Sequence, residues 1–156
     1  MKRVYLLFFL MTSTISLGAS QPRQLTRFSD LLQALKAGNE VRVVIDYEKC
    51  RLVIDTVEAK SPAAIGGMSL DTFEYFAPMV IRNPKAFVTS SQTVLISHPR
   101  YGYVLNYVKM KIIENDSVEV TARYLNPGNY QVVMDETFYG AISKGEDGRG
   151  IRLFVR

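Results

Sequence analysis

The spacing of apolar residues changes at Gly38. Ahead of it, in "RFSDLLQALKAGNE", Phe28, Leu31, Leu32 and Leu35 fall at i, i+3, i+4 and i+7 and so line one face of a helix. Thr26 or Ser29 can cap the start, and Gly38 followed by Asn39 supplies a left-handed stop, so the spacing predicts a helix of about three turns. Its polar face carries few cations, which favours docking on the chain's own sheet over lying on a membrane surface.

Beyond Gly38 the period is two. Val41, Val43, Ile45 and Tyr47 take one side and Arg42, Val44, Asp46 and Glu48 the other, the alternation of a strand. Further strands are expected over residues 51–57, 68–76, 86–97, 103–114, 117–125, 130–142 and 150–155. Asn115 and Asp116 read as a hairpin turn, and "NPGN" at residues 126–129 as the next. After the first turn, Val118, Val120, Ala122 and Tyr124 face one way and Ser117, Glu119, Thr121 and Arg123 the other, so one side of that strand is wet. The run 103–114 is apolar on both sides, Val104, Val108, Met110 and Ile112 against Tyr103, Leu105 and Tyr107, and is expected to be central with the helix over its second face.

The linkers between these runs are too short for parallel crossovers, and no second helix is visible to supply one. The expected fold is α+β: one short N-terminal amphipathic helix packed on a mainly antiparallel, strongly curved or barrel-like sheet of about seven to eight strands.

The first residues change the picture of where this domain works. "MKRVYLLFFLMTSTISLGAS" opens with Lys2 and Arg3, runs apolar from Val4 to Met11 and ends in small residues, the plan of a secretory signal peptide over residues 1–19 with cleavage after Ala19 or Ser20. Thr12, Ser13 and Thr14 break the apolar run far short of the roughly 20 residues that span a bilayer. A periplasmic or secreted chain with no membrane span after cleavage is therefore expected, with residues 20–156 as one β-rich domain. Losing Lys2 and Arg3 lowers the basic count from 19 to 17 against 15 acidic residues. Those charges are interspersed and form no run of five or six, so nucleic acid is not an expected partner. An apolar content of 47% is ample for a core at this length, and the single Cys excludes an intrachain disulfide.

Candidate chemistry is sparse. His98, the one histidine, stands before Pro99 in "LISHPRYGY" and reads first as a turn residue. The sharper reading makes it the base for Cys50 in a thiol-dependent hydrolase, since a thiolate nucleophile needs a neighbouring imidazole or cation. No glycine-rich nucleophile elbow or cysteine-protease signature accompanies the two. One His and one Cys leave no metal site with recognisable spacing, and no cofactor is expected. Asp71 with Glu74, and Asp135 with Glu136, are imaginable acid–base pairs but read more simply as the polar sides of strands and turns. Gly66 and Gly67 in "AIGGMSL" lack the rest of a phosphate loop and read as a turn or bulge. Tyrosines are dense in "DTFEYF" and "PRYGYVLNY", which makes Tyr75, His98, Tyr101 and Tyr103 the candidate contacts for a small ligand or a host or envelope protein. A non-catalytic binding or interaction protein is thus the leading expectation.

The blocks "FSDLLQALKAGNEVRVVIDYEKC", "IGGMSLDTFEYF", "LISHPRYGYVLNYVKMKIIENDSVEVTARYL", "MDETFYGAI" and "GRGIRLF", in this order, carry a resemblance. The chain resembles the VirK-like family of small exported, virulence-associated bacterial proteins. The resemblance implies export and host contact, and it carries over no active site. It also implies a structural pairing: relatives place a second cysteine where this chain has Gly140, so that Cys50 here stands as the remaining half of a disulfide between neighbouring strands, a small buried apolar residue.

Overall fold

The computed structural model describes residues 21–156; the leader expected over residues 1–19 and both cleavage positions lie outside them. Eleven strands and one helix follow in the order β1 Arg23–Leu25, α1 Phe28–Lys36, β2 Val41–Asp46, a 3-10 turn Tyr47–Lys49, β3 Arg51–Ile54, β4 Val57–Ala59, β5 Ile65–Ser69, β6 Glu74–Phe76, β7 Phe87–His98, β8 Gly102–Ile113, β9 Ser117–Leu125, β10 Val132–Ala141 and β11 Ile151–Val155. They form two sheets, one of four strands ordered β1-β11-β2-β5 and one of seven ordered β4-β3-β10-β9-β8-β7-β6, with all strand pairings antiparallel.

The antiparallel α+β arrangement holds, but the sheet does not close into a barrel. The 3-10 turn at Tyr47–Lys49 hands the chain from the four-stranded sheet to the seven-stranded one, so β2 and β3 never pair. The outer strands of the larger sheet, β4 and β6, have three residues each and do not pair with one another. The run expected over residues 68–76 is two strands in different sheets, because the chain leaves β5 after Ser69 and re-enters at Glu74. The run 51–57 is likewise divided, β3 turning into β4 through Asp55 and Thr56, both at positive φ (48° and 71°).

One apolar cluster lies between the sheets. Val41, Val43 and Ile45 of β2 and Ile151, Leu153 and Val155 of β11 meet Met110 and Ile112 of β8, Val118 and Val120 of β9 and Phe138 of β10. Helix α1 adds Phe28, Leu31, Ala34 and Leu35 to it, next to β2. The helix therefore does not cover the second side of β8, where Tyr103 is 70% exposed. β8 is an interior strand, but its outer side is open to solvent because the helix has been drawn to the inner one.

The helix ends are held by different means. At the stop, Gly38 (φ 76°) donates its N–H to Leu35 O and Asn39 donates to Ala34 O, the paired bonds of a Schellman motif. At the start neither Thr26 nor Ser29 caps; the N-cap position is Arg27, whose side chain makes no capping bond. Asp116, in the β8–β9 turn, accepts the Phe28 N–H through Oδ1 at 2.8 Å instead. A carboxylate at a helix N-terminus also complements the helix dipole.

Candidate functional site

Rows of the larger sheet's inner side show where packing stops. Cross-strand pairing aligns Met110, Val120, Phe138 and Leu52 in one row, all buried. The next row is Val108, Ala122 and Glu136, and the one after it Asn106, Tyr124 and Met134. These two rows lie at the margin of the four-stranded sheet's cover: Ala122 is still buried and Val108 packs against the core, while Glu136, Asn106, Tyr124 and Met134 are only partly covered. They floor a cleft of about 380 Å³, walled by Tyr47, Pro62, Ala64 and Gly66. A narrower arm of about 160 Å³ shares Tyr47, Gly66, Asn106 and Val108 and reaches Gln92 and Val94 of β7.

Local chemistry places each wall. Tyr47 opens the 3-10 turn, donates its N–H to Ala64 O at 2.9 Å, and lays its ring against Phe138 with centroids 4.7 Å apart. The ring fits because residue 66 is glycine: a Cβ there would sit 2.9 Å from the ring's Cε2. Gly67 is needed for a similar reason, its Cβ position lying 2.9 Å from Val43 O. Neither glycine makes a turn or bulge; both lie inside β5, opposite Ile45 and Val44. Strand patterning missed β5's start because its signal residues were kept small for close approach.

Glu136 is the charged group of the floor. Burial pushes its carboxyl above the usual carboxylate range, and no ion pair is formed by it among the described residues. Burial also raises the Tyr47 hydroxyl, followed by the negative forms of Cys50, Tyr124 and Glu136 nearby. Asp135, the neighbour of Glu136, points to the opposite side and pairs with Arg123 Nε at 3.0 Å. The two carboxylates therefore cannot act as a pair. Asp71 and Glu74 are both exposed, Asp71 in the connection that precedes β6 and Glu74 at its first residue.

The aromatic candidates separate. His98 and Tyr101 stack at 4.9 Å in the β7–β8 turn, and both rings meet Tyr124, at 5.1 and 6.0 Å, so that they extend the cleft's aromatic rim. His98 Nδ1 accepts the N–H groups of Arg100 and Tyr101, which fixes the ring in the turn. Tyr103 alternates to the outer side, opposite Ser97. Tyr75 sits on β6 with Lys36 Nζ 5.0 Å from its ring centroid, away from the cleft.

Cys50 and His98 are not brought together. Cys50 precedes β3 in the row of Gly140, Val118 and Ile112, whereas His98 pairs with Gly102, ten residues further along β8. At a rise near 3.4 Å per residue that is on the order of 30 Å along the strand. The thiol is 5% exposed, donates to Asp46 O at 3.4 Å, and is pushed up to about 11 by burial and then by Asp46. It faces Gly140, where a Cβ would stand 3.0 Å from Sγ. Among the described residues no group of three His, Cys, Asp or Glu side chains could hold a metal ion.

A model of the VirK protein family matches residues 24–130, more than half of the chain. The chain belongs to the VirK family. Among solved structures this VirK chain is similar to that of lpg1832, a VirK family protein from Legionella pneumophila, at 16% identity and a TM-score of 0.64, over 84% of this chain and 98% of that one. At that identity the likeness establishes a shared fold. No curated protein matches. Membership places this VirK protein among virulence-associated proteins and brings no reaction with it. Of the residues that build its cleft, Tyr47, Asn106, Tyr124 and Met134 were not singled out as site residues by sequence reasoning, and Glu136 was considered only as half of a pair with Asp135. A usable signal existed in "MDETF", where strand alternation puts Glu136 on the same side as Met134 and Phe138.

Proposed function

We propose that this VirK protein is an exported, non-catalytic binding protein that takes its ligand in the cleft between the sheets. The ligand, a small molecule or a side chain of a host or envelope protein, has an apolar or aromatic body and a cationic end. The observation that carries this reading is Glu136: a half-buried carboxylate with raised proton affinity, in no ion pair among the described residues, on a floor of Val108, Ala122, Met134 and Phe138. Ligand sites characteristically combine an apolar lining with a few convergent polar groups. The rings of Tyr47 and Tyr124 flank the carboxylate, and aromatic faces attract cations as well. The leader-like first residues support the exported location.

The test compares phenethylamine with its neutral analogue 2-phenylethanol by NMR titration. Shifts at Tyr47, Asn106, Tyr124 and Glu136 with the amine, weaker with the alcohol and abolished by Glu136→Gln, are expected. Equal responses to the two probes, or shifts confined to other surfaces, would refute the cationic reading. Mass spectrometry of the protein under native conditions adds a direct check for a retained ligand of this chemistry.

A further inference from the structure

β7 carries an open edge that its own sheet leaves unpaired. β6 covers it only at Phe87, Val88 and Thr89. From Ser90 to His98 no strand of the described residues lies on that side, and Val94 and Leu95 are 45% and 56% exposed. The direction of its backbone groups follows from one bond. Glu114 donates its N–H to Ala86 O at 3.0 Å, and β7 and β8 continue that register through Phe87↔Ile113 to His98↔Gly102. Even-numbered residues of β7 therefore turn their N–H and C=O toward β8, and Ser91, Thr93, Leu95 and Ser97 turn theirs outward.

Natural sheets protect such edges with charges, prolines, bulges or very short strands. Most other edges of this fold are short or charged: β1, β4 and β6 have three residues each, β5 has five with two glycines among them, and the free upper part of β10 carries Asp135, Glu136 and a register shift between Val132 and Met134. β7 reads "FVTSSQTVLISH", twelve residues without Asp, Glu, Lys, Arg or Pro.

We infer that β7 pairs edge to edge with β7 of a second copy of this chain, antiparallel, about a two-fold axis at Val94. The register follows from the outward groups. Ser91 then faces Ser97 of the second copy and Thr93 faces Leu95, so that every outward N–H and C=O on both strands finds a partner. No like charges oppose each other, since the strand carries no carboxylate, lysine or arginine. The gap also has the right length. His98 of the second copy comes beside Ser90, and its turn begins where Glu74 of β6 already occupies the neighbouring position, opposite Thr89. Arg100 of that turn arrives next to Glu74, once at each end of the junction. The result is a continuous sheet of two seven-stranded halves. A closed, isologous contact of this kind uses up the edge and propagates no further.

The experiment uses three variants and light scattering of the purified protein. The wild type is expected to shift to twice the monomer mass over the micromolar range. Thr93→Pro removes an outward N–H and no bond to β8, so it should stay monomeric with an unchanged circular dichroism spectrum and melt. Val94→Cys places two thiols across a non-hydrogen-bonded pair, where Cα atoms lie about 4.5 Å apart, within disulfide range. Mild oxidation should convert it to a covalent dimer, with Cys50 too buried to interfere. Tyr103→Cys, exposed on the outer side of β8, is the control for random collision and should crosslink far more slowly. A wild type that stays monomeric, with Val94→Cys no faster than Tyr103→Cys, overturns the inference. So does a dimer that persists in a folded Thr93→Pro protein.

Discussion

The two ends of the seven-stranded sheet are made of the same four strands and live in different surroundings. At the lower end Met110, Val120 and Phe138 are sealed against β2, β11 and the helix. At the upper end the same strands run on past the smaller sheet, with Asn106, Tyr124 and Met134 over a cleft and Val94, Leu95 and Tyr103 in solvent. β7 and β8 are twelve residues long, and only part of that length serves the core. A strand longer than its core needs keeps its ladder bonds and twist while presenting side chains to something else. The lower end therefore holds the fold and the upper end is available for recognition.

The largest expected effect separates those two roles. Phe138→Ala removes a ring that is 2% exposed and packed on Tyr47, and should cost about 3–5 kcal/mol in denaturant unfolding. Tyr124→Ala, one side of the same sheet but outside the buried rows, should cost well under half of that and instead weaken binding of the amine probe. Equal destabilisation by the two would mean that the upper rows are core after all.

Next comes Gly140→Cys. From bond lengths and angles, a Cβ and the far sulfur of a disulfide are about 3.0 Å apart, which is the separation found between the Gly140 Cβ position and Cys50 Sγ. Oxidised Gly140→Cys should gain about 2–4 kcal/mol. Under dithiothreitol the same variant should melt below wild type, because the added side chain also meets Ile151 Cγ1 at 3.2 Å. Failure to close in air would remove the view of Cys50 as the remaining half of a structural pair. The wild-type thiol, buried and raised to about 11, should resist iodoacetamide at neutral pH in the folded state.

The smallest effect concerns Glu136. Its folded proton affinity is above the unfolded one, so the folded state takes up this proton first as pH falls, and the site's contribution to stability is greatest below the unfolded value and is lost as pH rises through the folded one. Glu136→Gln should therefore stabilise the protein slightly at neutral pH and flatten its stability profile in the mildly acidic range. A destabilised Gln variant would show that the carboxylate has a partner that holds it charged.

Much of the lower end was legible in the sequence and little of the upper. Val41, Val43 and Ile45 alternate as a buried strand should, Ser117–Leu125 is bounded by its turns as expected, and Gly38 marks the helix stop. These are local signals. The cap on the helix start was invisible because Asp116 lies 88 positions away. The short strands β1 and β4 carry too few residues to show a period, and β5 hides behind two glycines whose reason is a tyrosine ring and a carbonyl elsewhere in the chain. Closure into a barrel was the natural inference for many antiparallel strands, and it fails on the brevity of β4 and β6. Of the aromatic candidates, His98 and Tyr101 meet in the β7–β8 turn, whereas alternation along β8 sends Tyr103 to the other side. The absence of a thiol–imidazole site is a matter of rows: no count of residues between Cys50 and His98 reveals that they stand at opposite ends of the sheet.

The pairing of β1 with β11 sets Arg23 against Val155, and the first turn of the helix hangs on Asp116. β1 and the start of the helix thus take their hydrogen bonds from parts synthesised late, although the helix also packs next to β2. The backbone of residues 23–28 therefore cannot take its final hydrogen bonds until the β8–β9 turn and β11 have been made, and it stays open to anything that handles unpaired backbone through most of the synthesis of this domain.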